Sequence, residues 1–299
     1  MKKMIVRILL VFVFIGCSHM LLANDPEVIN THRVMSCNIR VALPEDSIKG
    51  VGWDNRKTIC VEVMKRYNPD IICTQEVIGV QYEYLTEALS GYYSFGFVGP
   101  EMDAFPVGYH GIAKNVIFFS KKRYKFVSAG AYWLSETPEI GGSKSWDTAR
   151  ARHCNWVRLI DTYSGKEFRV MNLHLDHMVQ EAKEKQIQMV LNEANQYSKD
   201  FPQLLVGDYN ADISNNVIKK IHSSGWLDTY TQIHGEGEAG ASVHEFKGVN
   251  DEKAKIRKRI DFIFSKGPVK SLASGLIKDN IDGIYPSDHF FLFADIEFN

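Results

Sequence analysis

Asp208 and Asn210 stand two residues apart in Val206-Gly207-Asp208-Tyr209-Asn210, directly after an apolar run. On a strand this spacing puts both side chains on one face, where a carboxylate and an amide can hold an attacking water and bond a phosphate oxygen. The same pattern also ends a strand in an Asx-type turn. Asn172 and His174 repeat the spacing in Asn172-Leu173-His174-Leu175-Asp176-His177. His174 can donate to a phosphate oxygen, although a lone histidine there is more often a satisfied structural residue. In Ser287-Asp288-His289 the acid can fix the imidazole tautomer and hold the ring as a base. Glu76 closes Thr74-Gln75-Glu76 and Asn38 lies in the first apolar run. Such oxygen donors suit a hard cation like Mg²⁺, which keeps several waters and takes one or two carboxylates. Asp261 interrupts the apolar run of Arg259-Ile260-Asp261-Phe262-Ile263; a buried carboxylate must meet a cation, a histidine or strong donors. One such residue means little. Together they offer what phosphate-ester hydrolysis needs: neutralised equatorial oxygens, an in-line water and a stabilised leaving oxygen.

Strand ends must carry these groups. Short apolar runs over 33–39, 70–74, 115–119, 156–160, 168–173, 203–207, 260–264 and 290–294 are read as buried strands. Helical spacing covers 56–67, 179–197 and 215–223. Strands alternating with single helices, plus a short turn at Tyr163-Ser164-Gly165-Lys166, predict an α/β domain with mixed sheets. No linker rich in Pro, Gly or Ser divides it, so a single domain is expected over 30–299. Long loops are expected at 99–112 and 234–257, where substrate is often met; the basic run 255–259 could equally be a solvated face.

The chain has 299 residues, 45% hydrophobic and 24% charged, which suits a globular protein with a core. Lys2, Lys3 and Arg7 precede a short apolar stretch and then Ala23, the pattern of a secretory signal over 1–23. The stretch is too short to span a bilayer. Export to a bacterial periplasm, cell surface or medium is therefore expected. Phe14-Ile15-Gly16-Cys17 also resembles a lipobox, which leaves a membrane tether through Cys17 as the other processing route. Removing 1–23 takes away Lys2, Lys3 and Arg7 and no acid, so the formal charge of −1 becomes −4. Tight non-specific nucleic-acid binding draws on a basic surface, so this balance counts mildly against duplex DNA. Cys17, Cys37, Cys60, Cys73 and Cys154 have no zinc-site spacing. Cys37 and Cys73 could be neighbours and pair, or all could be small core residues.

Six blocks, Ser36-Cys37-Asn38-Ile39, Thr74-Gln75-Glu76, Asn172 to His177, Gly207 to Asn210, Arg259 to Ile263 and Ser287-Asp288-His289, follow one another in the motif order of a known superfamily. In that order the chain resembles the endonuclease/exonuclease/phosphatase superfamily over nearly its whole length. The resemblance implies a four-layer sandwich of two mixed β-sheets flanked by helices. It implies Mg²⁺ or Mn²⁺ held by Asn38 and Glu76, with Asp261 placed at the metal or in support of the histidine. His289, oriented by Asp288, would be the general base, a step that some family mechanisms give to Asp208. Asp208 and Asn210 would position water and phosphoryl group, and His174 would stabilise the transition state. Arg152, Asn115 and Asn172 would contact the substrate phosphate. Lys114 stands where the family block has glycine before Asn115.

A hydrolase of phosphate esters, most readily a phosphodiesterase, is thus expected, acting on nucleic acid, a phospholipid head group or a sugar or inositol phosphate. Tyr92, Tyr93, Phe95, Phe97, Phe105 and Tyr109 could stack a base or sugar, although core packing is the commoner use of such side chains. No feature marks a stable protein partner. A binding protein that kept the fold and lost catalysis is the alternative from another class; chelator-sensitive hydrolysis of an aryl phosphodiester separates the two.

Overall fold

The computed structural model describes residues 30–98, 113–237 and 240–299. Residues 1–23 with Cys17, where a signal is expected, and residues 99–112 with Phe105 and Tyr109, where a long loop is expected, lie outside the described residues. The chain runs through β1 (Thr31–Asn38), α1 (Pro44–Ile48), α2 (Trp53–Arg66), β2 (Ile71–Val77), α3 (Gly79–Ala88) and β3 (Tyr92–Phe95). Next come β4 (Lys114–Ser120), β5 (Tyr124–Trp133), β6 (His153–Asp161), β7 (Glu167–His174), α4 (Gln180–Ala194) and β8 (Gln203–Asp208). It continues through α5 (Asn216–Ser223), β9 (Leu227–Asp228), α6 (Thr229–His234), β10 (Asp261–Lys266), β11 (Val269–Ile277) and β12 (Phe291–Phe298).

Two six-stranded sheets form, in the orders β11-β12-β1-β2-β4-β3 and β5-β6-β7-β8-β10-β9. Each is mixed: β1 pairs parallel with β2, and β7 parallel with β8, while the other ladders are antiparallel. Strand alternation gives each sheet an inner and an outer face. Val34, Ile71, Ile117, Val157, Val170, Val206, Ile263 and Leu292 fill the space between the sheets. The outer face of the first sheet packs under α2 and α3 through Cys37, Met35, Val63 and Leu85. That of the second packs under α4 and α5 through Met171, Ile187, Val190 and Ile218. This is the four-layer sandwich expected from the sequence.

The Cys37–Cys73 pairing is corrected. Cys37 lies opposite Thr74, and Cys73 opposite Ser36, in the parallel ladder. The one-residue offset sends Cys73 into the inner core and Cys37 beneath the helices; all four described cysteines are free and buried. Of the aromatics, Phe95 packs on the inner core and Phe97 stacks on Tyr82 under the helices, both in core roles.

Gly207 is the tightest point of the second sheet. A Cβ there would meet the Leu173 carbonyl oxygen at 2.0 Å, with φ at +153°. Gly207 thereby lets β7 and β8 approach just where they deliver His174 and Asp208, which face each other in register. We expect Gly207→Ala to lose roughly 3 kcal/mol or more, because the neighbour is backbone and cannot yield; urea denaturation measures it.

Candidate active site

Alternation puts Asn38, His174, Asp208 and Asp261 on inner-face positions at one end of the two sheets, above the apolar core. Glu76 breaks the rule. Ile72 and Thr74 face the helices, so strict alternation would send Glu76 the same way. Between Thr74 and Val77 the β2–β4 register slips, and Glu76 takes φ +67°. Such a bulge re-aims a side chain, and a left-handed non-glycine residue stores about 1–3 kcal/mol. The result turns the Glu76 carboxylate inward, where Oε1 accepts from Asn38 Nδ2 at 3.2 Å and Oε2 from the Val41 amide at 2.9 Å.

Asn38 Nδ2 also donates to Asp208 Oδ2 at 2.9 Å, and Asn38 Oδ1 accepts from the Arg40 amide. Asn38 thus turns its amide nitrogen to both carboxylates here. An amide caught between two carboxylates must present its nitrogen; to offer Oδ1 to a cation it would have to turn over.

His289 Nδ1 lies 3.0 Å from Asp261 Oδ2, and its Nε2 lies 3.9 Å from Asp208 Oδ2. Asp261 therefore orients the ring, the role in support of the histidine that the resemblance allowed it, and this corrects Asp288 as the orienter. The reason is register: Asp261 stands directly opposite Asp208 on β10 and β8, and His289 sits against both. Asp208, Asp261 and His289 offer ligand atoms within 4.8 Å of one another. We read this trio as a hydrogen-bonded acid–imidazole set, because the Asp261–His289 bond already uses Nδ1. Asp288 instead lines the cleft wall, with Oδ2 3.5 Å from Arg40 Nη1 and Oδ1 accepting from Ser287 Oγ.

These charges shape one another. Burial pushes the Asp208 carboxyl up to about 7, with the Asp261 charge adding to it and His289 opposing. Burial pulls the His289 imidazole down, but Asp261, then Asp208 and Asp288, outweigh it and raise it to about 10. His289 is thus an imidazolium at neutral pH in the metal-free protein. Its ¹⁵N shifts should stay those of a protonated ring at pH 8, giving up the proton only toward pH 10; a neutral ring at pH 8 contradicts this field. His174 goes the other way, held well below its usual value by burial and then by Arg152. Its Nε2 lies 2.9 Å from Asn210 Nδ2 and, in a neutral ring, accepts, leaving Nδ1 to donate.

Asn210 realises both readings of its spacing. Its backbone amide donates to Asp208 Oδ1 at 2.9 Å in an Asx turn, at φ +47°, and its side chain still reaches His174 at the cleft. Arg152 faces the cleft too, with a buried Nε that has no partner among the described residues.

Asn115 and Asn172 are corrected as phosphate ligands. Asn172 is fully buried. Its Nδ2 donates to the Thr74 and Val116 carbonyls, and its Oδ1 accepts from Gln75 Nε2 at 2.8 Å. Asn115 Nδ2 donates to the His153 carbonyl at 2.9 Å. Both lie one pleat below the site and bridge the sheets. Asn172→Ala should cost roughly 2–3 kcal/mol by stranding those groups while leaving KM within about twofold; a selective KM rise would return Asn172 to the substrate.

The cleft, about 220 Å³, is lined by the acids and their partners Glu76, Asp208, Asn210, His174, Asp288 and His289 and also by Arg40, Arg150, Arg152 and His177. Arg40, Arg150 and His177 carry no role in the sequence reading. Arg40 and Arg150 each sit two residues from a recognised group, Asn38 and Arg152, a spacing that could have found them. Asp176 anchors that lining: it accepts from Thr148 Oγ1, the Ala149 amide and the Met178 and Val179 amides.

A family model described as "Endonuclease/Exonuclease/phosphatase family" matches residues 35–289. The chain belongs to this family. It is 25% identical to mouse nocturnin over 282 residues, covering 87% of this chain and 61% of that protein. An endonuclease/exonuclease/phosphatase family protein of Bacteroides thetaiotaomicron superposes with a TM-score of 0.79 at 28% identity, covering 90% of this chain and 98% of that one. A mannosyl-6-phosphatase of the same organism gives 0.78 and 28%, covering 89% and 100%. The chain thus spans less than two thirds of the curated relative's length, and nearly all of the bacterial structures. The family is one of phosphate-ester hydrolases generally dependent on divalent metal, and the donor set fits such an ion. Glu76, Asp208 and Asp288 line the cleft, Asp208, Asp261 and His289 offer ligand atoms within 4.8 Å of one another, and a buried Asp261 oxygen has no partner among the described residues.

Proposed function

We propose that the protein is a divalent-metal-dependent phosphohydrolase in which water attacks the phosphorus of a small phosphate ester. The observation that carries this reading is one cleft lined by both the carboxylates of Glu76, Asp208 and Asp288 and the guanidinium groups of Arg40, Arg150 and Arg152. Glu76 and Asp208 would hold Mg²⁺ or Mn²⁺, joined by Asn38 once its amide has turned; the ion would supply Lewis-acid neutralisation of the phosphoryl oxygens. Asp208, beside the attacking water, takes its proton. His289, kept protonated by Asp261, bears its charge on a phosphoryl oxygen. Arg152 and the His174 Nδ1–H hold the other oxygens, and Asn210 fixes His174.

The cleft size and the number of guanidinium groups favour a compact phosphomonoester, such as a phosphorylated sugar or inositol; the resemblance to a mannosyl-6-phosphatase supports the same class. A second reading, the phosphodiester, is favoured by a groove of about 630 Å³. It continues past Asn210 and His289 between Val243, Ile256, Arg257 and Lys258, with room for a larger leaving group. Assays of p-nitrophenyl phosphate, bis(p-nitrophenyl) phosphate, mannose 6-phosphate and sphingomyelin, each with and without Mg²⁺, decide between them. No Mg²⁺-dependent hydrolysis of any of these would sink the proposal. We also propose that the enzyme works outside the cytoplasm, on the strength of Lys2, Lys3 and Arg7 before an apolar stretch. Cell fractionation of the full chain and of Cys17→Ala separates release from tethering, and a cytoplasmic location overturns both.

A further inference from the structure

Arg56 is wholly buried in the first turn of α2, a place where a helix dipole disfavours a cation. Its described hydrogen bonds all go to backbone carbonyls, with no carboxylate among them. Nε donates to Val51 O at 3.1 Å, Nη1 to Pro286 O at 3.0 Å and to Ile39 O, and Nη2 to Arg40 O at 2.6 Å. The guanidinium lies over the rings of Trp53, at 5.1 Å, and Phe246, at 5.7 Å. Burying a charge is costly unless it is richly bonded, so the position asks what the carbonyls have in common. Ile39 and Arg40 follow Asn38, and Arg40 is held at φ +56°. Pro286 precedes Ser287, Asp288 and His289. The two segments come from opposite ends of the chain, and each delivers residues to the cleft lining, Arg40 and Val41 from one and Asp288 and His289 from the other.

We propose that Arg56 is a positioning residue for hydrolysis, a planar clamp that sets the distance between the Asn38–Arg40 segment and the Asp288–His289 segment. It touches neither substrate nor reacting atoms. A guanidinium reaches several carbonyls in fixed directions, whereas an ammonium offers donors from a single point; lysine should therefore fill the space without holding both segments. This inference rests on the proposed hydrolysis only for its kinetic readout.

The test compares wild type, Arg56→Lys and Arg56→Ala as full chains, with Mg²⁺ and the better p-nitrophenyl ester. Arg56→Lys should lower kcat by about 10²-fold, the scale expected of misplacement near 1 Å, with KM changed less than about threefold. Millimolar guanidinium, but not equal ionic strength of ammonium, should restore part of the Arg56→Ala rate. Hydrogen exchange should quicken over 39–43 and 284–290 while β6 and β7 stay protected. A wild-type kcat in Arg56→Lys overturns the clamp, as does faster exchange throughout both sheets with activity tracking the unfolded fraction. Should wild type prove inactive while the local exchange result holds, the clamp stands and the hydrolysis reading fails.

Discussion

His289→Ala should lower kcat by roughly 10³-fold, the scale of losing a charged donor to the phosphoryl oxygen. Asp208→Asn should do the same by removing the group that takes the proton of water. The two losses should not add, because residues that act as a unit are strongly non-additive. His289→Ala carries a second cost, since it leaves Asp261 buried opposite Asp208 without its partner. Removing one member of a buried ion pair costs roughly 3–5 kcal/mol. His289→Gln keeps a donor toward Asp261 and separates the two effects: stability should largely return, and kcat should not. Stopped assays with thermal melts on all three variants test this. Full activity in a folded His289→Gln enzyme would remove His289 from the chemistry.

Chelation should abolish turnover, and Mg²⁺ or Mn²⁺ should restore it where Na⁺ does not. The carboxylates lining the cleft repel one another, and a divalent ion is the compensating charge they suit. Glu76→Gln should weaken that requirement's affinity by at least about 10²-fold, since it removes a charged oxygen from a hard cation. It also trades a carboxylate that accepts from Val41 and Asn38 for an amide with a single acceptor oxygen. The activation curve for Mn²⁺ in wild type and Glu76→Gln measures this. An EDTA-treated enzyme with full activity would exclude the ion from the reaction.

The central strands were legible because each is covered on both faces and so reads as an unbroken apolar run. The strands missed are β3, β5, β9 and β11, the outermost strand on each side of each sheet. Edge strands bury less: β5 is buried only at Tyr124 and Trp133, and no run of apolar residues announces it. The same logic divides the site. Asp208 and His174 obey alternation from their strands, and their common face follows from spacing alone, whereas Asn210 reaches the site through the Asx turn that follows β8. Glu76 reaches the site only through a bulge that alternation cannot foresee. Depth along a strand is equally silent in sequence: Asn172 and His174 share a face, yet one seals the sheets and the other meets the cleft. Asp261 and not Asp288 orients His289 because cross-strand register decided which acid met the ring. Sequence neighbours in Asp288-His289 pointed to the wrong one. Arg40 and Arg56 act through loops at φ-strained or buried positions, where residue type carries no pattern.

Convergence of these groups on one divalent ion is tested most directly by anomalous diffraction from crystals soaked in Mn²⁺. The expected result is a single strong peak between the carboxylates of Glu76 and Asp208, lost in Glu76→Gln crystals. No peak at that place, or a peak seated between Asp261 and His289 instead, would contradict the site and the chemistry built on it.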